Sequence, residues 1–589
     1  MADVLRIANC SGFYGDRLSA AREMVEGGPI DVLTGDYLAE LTMMLLFKGR
    51  QKDPSGGYAR TFLLQLEQVA ATCLQRGIRI VVNAGGLDPR GCAVAARAIY
   101  ERLGLRASVA HVEGDDLMPR LDALRAAGEA FVHLDKGTPL SALTVPVMTA
   151  NAYLGGWGIA AALEGGADVV ICGRVTDAAL TVGPAAWKFG WKRDDWDKLA
   201  GAVVAGHIIE CGPQCTGGNY SFFQQVPGLG RPGFPIAEMH EDGSCVITKH
   251  ANTGGAVTVG TVTAQLLYEI AGSAYANPDV VARFDTIALQ QEGPDRVRVS
   301  GVRGEPAPER LKVCINHEGG YKNSMTFVLA GLDIEEKARL AEETLWSLVG
   351  GRDRFAETYV SLRRSDREDP RSNEEAFALL AVAVRDPDPK KVGRAFSGKA
   401  VEMALASYPG FSMTGLPRDE QQCGVYWPAL VSASAVEHRV VMPDGETIAI
   451  EHTRGGATGA TDTSASHDAD APAAPLAAGP TRRAPLGAVC GARSGDKGGN
   501  ANVGVWTESD AAYRWLAGFL TVEKVKELLP ETRPLEVERH ALPRLRALNF
   551  VVKGLLGDGV AASLRADPQA KTLGEYLRAK VVDVPVGSA

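Results

Sequence analysis

The sequence predicts an α/β protein with a parallel, doubly wound N-terminal sheet, a second mixed α/β domain and a small α+β C-terminal domain. Residues 1–180 repeat a β-branched apolar run, a Gly/Asn/Asp break and a segment of helical period. Near residue 200 the pattern changes to β-like stretches between glycine-rich loops. Residues 455–485 are rich in Ala, Gly, Thr, Ser, Asp and Pro, a composition that favours a flexible linker. The predicted domains are therefore 1–200, 201–454 and 486–589, with the linker at 455–485.

The N-terminal repeat predicts five strands, at residues 4–8, 30–33, 78–82, 108–112 and 168–172. Such runs between helices indicate a parallel sheet covered on both faces, and ligands bind outside the carboxyl ends of its strands. The polar and glycine residues that follow these strands are Asn9, Ser11, Gly12, Asp36, Asn83, Gly85, Gly86, Arg174 and Asp177. We expect them to share one edge of the sheet and to bind substrate there.

Three carboxylates are the candidate catalytic groups. Asp36 and Asp177 follow predicted strands, and Glu210 opens a stretch with two cysteines and a Gly pair. A carboxyl group at a ligand edge can act as a general acid or base. Arg174 could clamp a substrate carboxylate or phosphate through two parallel hydrogen bonds. The alternative is an Arg174–Asp177 ion pair that only holds a loop in place.

The second domain carries β-like stretches at 202–210, 244–249 and 296–302, and helical stretches at 335–349 and 373–385. One unit stands out, a strand at 245–249, a loop of Thr253, Gly254 and Gly255, and a helix at about 257–270. A Gly pair before a helix N-terminus can present free backbone N–H groups to an anion. This loop is therefore a candidate substrate-binding element.

The ten cysteines predict neither disulfides nor a zinc site. Their spacing is irregular, and Cys211 and Cys215 have no second Cys/His pair at partner distance, since His207 and His240 are isolated. We therefore expect reduced, buried thiols and no bound metal.

Residues 486–589 predict a small α+β domain of ferredoxin-like size. Two early β-like runs are followed by helices at 508–519 and 522–529, strands at 535–539 and 548–552, and a last helix at 573–578. Between the early runs lies a polar loop with Arg493, Asp496 and Lys497. Such a loop suits an anionic or carbonyl ligand, or docking on the main body, and its alternative is a plain solvent hairpin.

The composition indicates a cytoplasmic protein that binds a small molecule. With 62 Lys and Arg against 71 Asp and Glu, the net charge is −9, and the absence of a basic block argues against nucleic acid. No apolar run approaches the ~20 residues of a membrane span, and residues 1–6 lack a signal-peptide layout. Neither a dinucleotide nor a P-loop fingerprint is present, so no cofactor is evident. A homo-oligomer is expected because symmetric assemblies are common.

Several blocks of the chain resemble the acyclic terpene utilisation protein A (AtuA) family. The blocks are residues 7–16, 81–89, 155–178, 210–219 and 253–270, and the final domain carries the Ser494-Gly495-Asp496-Lys497-Gly498 signature of the family's ferredoxin-fold unit. The resemblance implies an enzyme of branched acyl-CoA, acyclic terpenoid or carboxylic acid breakdown, a hydratase, dehydratase or carbon–carbon lyase, with CoA as part of the substrate. It assigns no residue a role. The open alternative is a non-catalytic ligand-binding or assembly subunit of a catabolic complex.

Overall fold

The computed structural model describes residues 4–455 and 480–586 as a mixed α/β protein with several sheets. Contacts divide the chain into two units. Unit 1 comprises Met1–Asn316, Trp427–Leu555 and Gln569–Ala589, and unit 2 comprises His317–Tyr426 and Leu556–Pro568. Within the described ranges, no helix combines the length and apolarity needed to cross a bilayer.

The strands are β1 (Val4–Asn9), β2 (Val32–Gly35), β3 (Arg79–Val82), β4 (Val109–Glu113), β5 (Val147–Ala152), β6 (Val169–Cys172), β7 (Pro235–His240), β8 (Cys245–Lys249), β9 (Ala274–Ala276), β10 (Val281–Arg283), β11 (Ala288–Gly293), β12 (Arg296–Ser300), β13 (Arg303–Glu305), β14 (Arg310–Ala330), β15 (Glu357–Arg364), β16 (Phe377–Asp386), β17 (Ser412–Met413), β18 (Gln421–Ser432), β19 (Arg439–Val441), β20 (Thr447–Ala449), β21 (Thr481–Pro485), β22 (Gly491–Lys497), β23 (Asn500–Trp506), β24 (Val537–Leu542), β25 (Ala547–Val552) and β26 (Val581–Pro585). The helices are α1 (Ala20–Gly27), α2 (Glu40–Lys52), α3 (Arg60–Arg76), α4 (Pro89–Arg102), α5 (Leu121–Ala126), α6 (Trp157–Glu164), α7 (Ala179–Phe189), α8 (Trp196–Ile209), α9 (Val259–Leu266), α10 (Ile334–Val349), α11 (Pro389–Val392), α12 (Arg394–Glu402), α13 (Asp510–Phe519), α14 (Val522–Leu528) and α15 (Leu573–Arg578).

Unit 1 is built on an 11-stranded sheet in the order β11-β12-β8-β7-β1-β2-β3-β6-β4-β19-β20. The five central strands β1, β2, β3, β6 and β4 are parallel, and they are the five strands predicted from the sequence. The strands outside them pair antiparallel. The sheet is therefore mixed, and the predicted parallel sheet is its centre rather than a separate N-terminal layer.

Both faces of the central strands are buried, which explains their continuous apolar sequences. Ile7, Val81 and Val170 face a core shared with α6, α7 and α8. The alternate residues, such as Ala8 and Ile171, face a second core shared with α1, α3 and α4. Because helices cover both faces of these strands, the polar side chains of this region lie mainly at the ends of the strands.

The predicted division between residues 200 and 201 lies inside α8. Residues 202–210 were expected to be β-like, and this prediction is wrong because residues 202–209 belong to that helix. Every residue from Leu199 to Ile209 is buried, so the helix is apolar on all sides and has no polar face to reveal its period. Strands β7, β8, β11 and β12 of the predicted second domain also extend the same sheet as β1.

Unit 2 contains an antiparallel sheet in the order β15-β16-β14-β17, with α10 and α12 packed on it. The predicted helix at 335–349 is confirmed by α10. The predicted helix at 373–385 is wrong, because residues 377–386 form β16 between β14 and β15. Its Ala- and Leu-rich sequence favours a helix locally, and pairing on both sides overrides that preference.

The C-terminal residues form an antiparallel sheet in the order β22-β23-β25-β24, together with α13, α14 and α15. The predicted helices and strands of this domain are present within a few residues. β21 pairs with β26, so the last residues of the predicted linker are a strand. Residues 456–479 of that linker lie outside the described residues.

Candidate functional site

Three carboxylates meet at the carboxyl edge of the central sheet. Asp36 follows β2, Asp177 lies in the turn after β6, and Glu210 directly follows α8. One carboxylate oxygen from each residue lies within 4.8 Å of the other two. Asp36 and Glu210 are buried, whereas the Asp177 side chain is 29% exposed. We call these three residues the acid cluster; they are the three candidate catalytic residues of the sequence analysis.

Asp36 is held by the neighbouring strand end. The Asn83 side-chain amide donates to Asp36 Oδ1 over 2.6 Å, and the Leu38 N–H donates to the same oxygen over 2.9 Å. Asn83 Oδ1 in turn accepts a hydrogen bond of 2.8 Å from the Tyr37 N–H. Asn83 thus fixes both the carboxylate and the backbone of the Asp36 turn.

The turn after β1 contacts the backbone of both Asp36 and Glu210. The Asn9 side-chain amide donates to the carbonyl oxygens of Ser11 (3.0 Å) and Glu210 (3.3 Å). The Ser11 carbonyl also accepts from the Asp36 N–H over 2.9 Å. A Cβ atom on Gly12 would lie 2.9 Å from the carbonyl carbon of Cys211, so glycine allows this close approach. Asn9, Ser11 and Gly12 therefore position the acid cluster.

Arg174 is 2% exposed and contacts protein groups. Its Nη1 donates to the Leu38 carbonyl over 2.7 Å and lies 3.6 Å from Asp177 Oδ1. Its guanidinium stacks on the Tyr153 ring, 4.3 Å from the ring centroid. Its backbone N–H donates to Asp115 over 2.9 Å. These contacts favour the loop-holding alternative over the predicted substrate clamp.

His207 is a site residue that the sequence analysis considered only as an isolated zinc ligand. It lies on α8 one turn before Glu210, and its Nδ1 is 3.3 Å from Glu210 Oε1. The rings of Tyr275 and Phe284 pack on the imidazole at centroid distances of 5.3 and 5.5 Å. Neither ring nitrogen makes a hydrogen bond of good geometry with a described residue, and the weak contacts of the ring are with the backbone of Leu266 and Gln265. The His207–Glu210 spacing could have indicated this pair, but only if residues 202–209 had been recognised as a helix.

Burial and like charge control the ionisation of the site. Burial raises the pKa of Glu210 well above its usual range, and the nearby Asp177 carboxylate raises it further. Burial and Asp177 also raise the pKa of Asp36, while Arg174 and Asn83 oppose the shift. Burial lowers the pKa of His207 to about 4, and the positive charge of Lys497 adds to this effect. Neutral forms of Asp36, Glu210 and His207 are therefore favoured.

Gly85 and Gly86 lie at the same edge but pack on protein. The Gly85 N–H donates to the Cys172 carbonyl over 3.0 Å, and a Cβ atom on Gly85 would lie 2.6 Å from that oxygen. Gly86 has a φ of +53° and faces the side chain of Leu46 and the backbone of Gly57. Both glycines thus allow a close approach between strand ends, and their contact with substrate stays a prediction.

The Thr253, Gly254 and Gly255 loop makes its close contacts with residues 216–233. The Gly255 N–H donates to the Pro227 carbonyl over 2.7 Å. Helix α9 begins at Val259. Just before it, the Val257 N–H donates a hydrogen bond of 2.8 Å to the Asp295 side chain. Protein acceptors thus take the N–H groups of Gly255 and Val257, which disfavours an anion there, and the substrate-binding role of this loop stays a prediction.

The C-terminal loop residues lie near His207, within unit 1. Lys497 Nζ donates to the Glu269 carbonyl over 2.7 Å and lies 5.6 Å from the Tyr275 ring centroid. Arg493 lies over the Tyr268 ring at 4.4 Å. Asp496 belongs to the same strand, β22. The predicted polar loop is thus the end of a hairpin that contacts residues 268–275.

The cysteines are free thiols in the structure, and nine of the ten are buried. Cys215 Sγ lies 3.8 Å from the Gly212 carbonyl. Burial raises the pKa of Cys211 well above its usual range, with Glu210 adding to the shift. An inert thiol is favoured at both positions.

Comparisons with known proteins identify the family. A model of the acyclic terpene utilisation family protein AtuA matches residues 5–442. A model of the AtuA ferredoxin-like domain matches residues 484–583. No curated protein matches the chain, and no solved structure does. The chain therefore belongs to the AtuA family, which is implicated in acyclic terpene utilisation, and it carries the family's ferredoxin-like domain at its C-terminal end.

Proposed function

We propose that the protein is an enzyme of branched acyl-CoA, acyclic terpenoid or related carboxylic acid breakdown, a hydratase, dehydratase or carbon–carbon lyase. The observation that carries the proposal is the acid cluster, in which three carboxylates lie within 4.8 Å at the carboxyl edge of the parallel strands. This edge is where α/β sheets place their ligands. Membership of a family implicated in acyclic terpene utilisation supports the terpenoid part of the proposal.

Addition or removal of water next to a thioester, or cleavage of a neighbouring carbon–carbon bond, needs one group that accepts a proton and one that donates it. Asp36 and Glu210 suit the donor role, because burial and like charge raise their pKa values. Asp177 suits the acceptor role, because it is the most exposed of the three and lies 3.6 Å from the Arg174 guanidinium.

Arg493 is proposed to bind the anionic part of the substrate. It is 7% exposed, and its contacts are the Tyr268 ring and, at 3.5 Å, the Asn219 carbonyl. Its Nη2 is buried and makes no hydrogen bond within the described part of the chain. A buried charge is costly without a counter-ion, and a carboxylate or phosphate of the substrate would supply one. Lys497 would add positive charge on the same side.

The remaining proposals follow the composition of the chain. We propose a small-molecule substrate that carries CoA as a substrate part and not as a resident cofactor. We also propose a cytoplasmic homo-oligomer that binds neither nucleic acid nor membranes.

The test is product analysis by mass spectrometry on the full chain. Branched and unbranched 2-enoyl-CoA and 3-hydroxyacyl-CoA esters, with the free acids, are the substrates. We expect gain or loss of water, or cleavage to a shorter thioester, for the branched esters. Glu210→Gln should lower turnover by about 10²–10⁴-fold. Asp122→Asn is the matched control, because the Asp122 side chain is 97% exposed.

If calorimetry shows that the esters bind and none is converted, the catalytic proposal is contradicted. The non-catalytic binding or assembly subunit then replaces it.

A further inference from the structure

We infer that the acid cluster and His207 form a binding site for a divalent metal cation that accepts oxygen and imidazole ligands. The ligand atoms would be one carboxylate oxygen each from Asp36, Asp177 and Glu210, and one ring nitrogen of His207. This inference goes beyond the proposed function, because it names a ligand of the cluster whatever reaction occurs there.

The first observation is the geometry and charge of the cluster. The three carboxylate oxygens lie within 4.8 Å of one another, so small movements would bring them around one ion. Carboxylate oxygens are the preferred ligands of Mg²⁺, Ca²⁺ and Mn²⁺. Metal ligation requires ionised carboxylates, so binding would displace the protons that burial favours on Asp36 and Glu210. The Arg174 guanidinium, 3.6 Å from Asp177, then supplies one positive charge against three negative charges. A divalent cation would balance the remainder.

The second observation is independent of the carboxylates. The His207 side chain is 2% exposed, and its Nδ1 lies 3.3 Å from Glu210 Oε1. Neither of its nitrogens forms a hydrogen bond of good geometry to a described residue, and its weak contacts are with the backbone of Leu266 and Gln265, although buried polar atoms in proteins are usually satisfied. A metal ion beside Glu210 would satisfy one of them. His207 and Glu210 are three residues apart at the end of α8, a spacing that places both on one side of the helix.

Neighbouring side chains form hydrogen bonds with two of the proposed ligand residues, as is common in metalloproteins. Asn83 donates to Asp36 over 2.6 Å, and Asn9 donates to the Glu210 carbonyl over 3.3 Å. The contact with the Asp36 carboxylate is of the kind that orients a metal ligand and raises metal affinity, whereas the contact with the Glu210 carbonyl holds the backbone that carries a second ligand. The imidazole shifts the preference from Mg²⁺ toward Mn²⁺ and Zn²⁺.

The sequence predicts no metal site, because its cysteines are irregularly spaced and lack a second Cys/His pair at partner distance. The four residues proposed here come from two separate turns and the end of one helix, so only the fold brings them together. A bound cation could polarise a thioester carbonyl at this edge.

The test is calorimetric titration of MnCl₂ into the full chain after treatment with EDTA and dialysis, with Mn²⁺ electron paramagnetic resonance as a second readout. Wild type should bind one Mn²⁺ per chain. Asp177→Asn and Glu210→Gln should each weaken binding at least tenfold, and Asp122→Asn should leave it unchanged. His207→Gln should weaken Mn²⁺ binding more than Mg²⁺ binding.

Melting temperatures of the variants separate ligand loss from unfolding. Asp177→Asn and Glu210→Gln each replace one of three crowded carboxyl groups with a neutral amide of the same shape, so both should fold without metal. Failure of wild type to bind Mn²⁺, Zn²⁺ or Mg²⁺ would overturn the inference, and so would equal binding by wild type and both carboxylate variants. Because these titrations contain no acyl-CoA ester, their outcome is independent of the turnover assay that tests the proposed reaction.

Discussion

The side-chain amide of Asn83 donates a hydrogen bond of 2.6 Å to the carboxylate of Asp36. The two residues lie one position beyond the ends of neighbouring parallel strands, β3 and β2. Their contact shows how the fold gathers polar residues that are 47 positions apart in the chain. The same hydrogen bond stabilises this edge of the sheet and positions Asp36, one member of the acid cluster.

Asn83→Ala should lower the free energy of unfolding by about 1–3 kcal/mol, because it removes one of the two donors to the buried Asp36 oxygen and leaves the Tyr37 N–H without its acceptor. Denaturant unfolding measures this change. Asn373→Ala, at an exposed position, is the control and should shift stability by less than about 0.5 kcal/mol. Equal stability of Asn83→Ala and wild type would show that the contact does not hold the turn.

Arg174→Lys should destabilise the fold by about 1.5–3 kcal/mol, since a Lys side chain cannot both stack on Tyr153 and replace the charged hydrogen bond to Leu38. KM should change little for the folded molecules. Melting temperature and steady-state kinetics on the same sample test this. Arg339→Lys, with a side chain 66% exposed, is the control. A raised KM at an unchanged melting temperature would instead support the substrate clamp.

Asp115 should make stability depend on pH. Burial raises its pKa to about 7, against hydrogen bonds from Arg174 and Asn151 that favour the charged form. Since the folded state then binds the proton more tightly than the unfolded state, this contribution is fully present below about pH 4 and is lost as pH rises to 7. The total is up to about 4 kcal/mol.

Asp115→Asn should remove this dependence. Its side-chain oxygen can still accept the bonds from the Arg174 N–H and the Asn151 amide. The free energy of unfolding should be measured at pH 5 and pH 8. Relative to wild type, that of Asp115→Asn should be higher at pH 8 than at pH 5, whereas that of Asp122→Asn should match wild type at both pH values. Parallel profiles for Asp115→Asn and wild type would contradict the assigned pKa shift.

Arg493→Gln should raise KM for the CoA esters by about 10–100-fold, the equivalent of a lost charged hydrogen bond of about 1.5–3 kcal/mol. The melting temperature should stay the same or rise, because an unpaired buried charge is removed. Arg514→Gln, at an exposed position of the same domain, is the control. A lower melting temperature with an unchanged KM would assign Arg493 to domain docking alone.

The sequence predicted the parallel centre of the fold because its strands are buried on both faces. Residues such as Ile7 and Ala8 are both apolar, so each strand appears as a continuous run that ends at a polar turn. Once parallel strands are predicted, their turns must share one edge. For this reason Asp36 and Asp177 could be placed together from sequence, although their roles stay predictions.

The failures have a different cause. Residues 202–209 and 377–386 are short apolar runs, for which periodicity does not distinguish a helix from a strand, and tertiary packing decides. His207 was missed as a partner of Glu210 for the same reason. The sequence also could not show that Pro227 and Asp295 accept hydrogen bonds from the loop around Gly254, because these acceptors come from distant parts of the chain.

The most direct test of the central claim is the turnover of Asp177→Asn on branched acyl-CoA esters, measured with its melting temperature. If the acid cluster is the reaction centre, turnover should fall by about 10²–10⁴-fold while the melting temperature is unchanged or higher. Asp122→Asn should match wild type in both measurements. Turnover per folded molecule equal to that of wild type would contradict the assignment of the acid cluster as the active site.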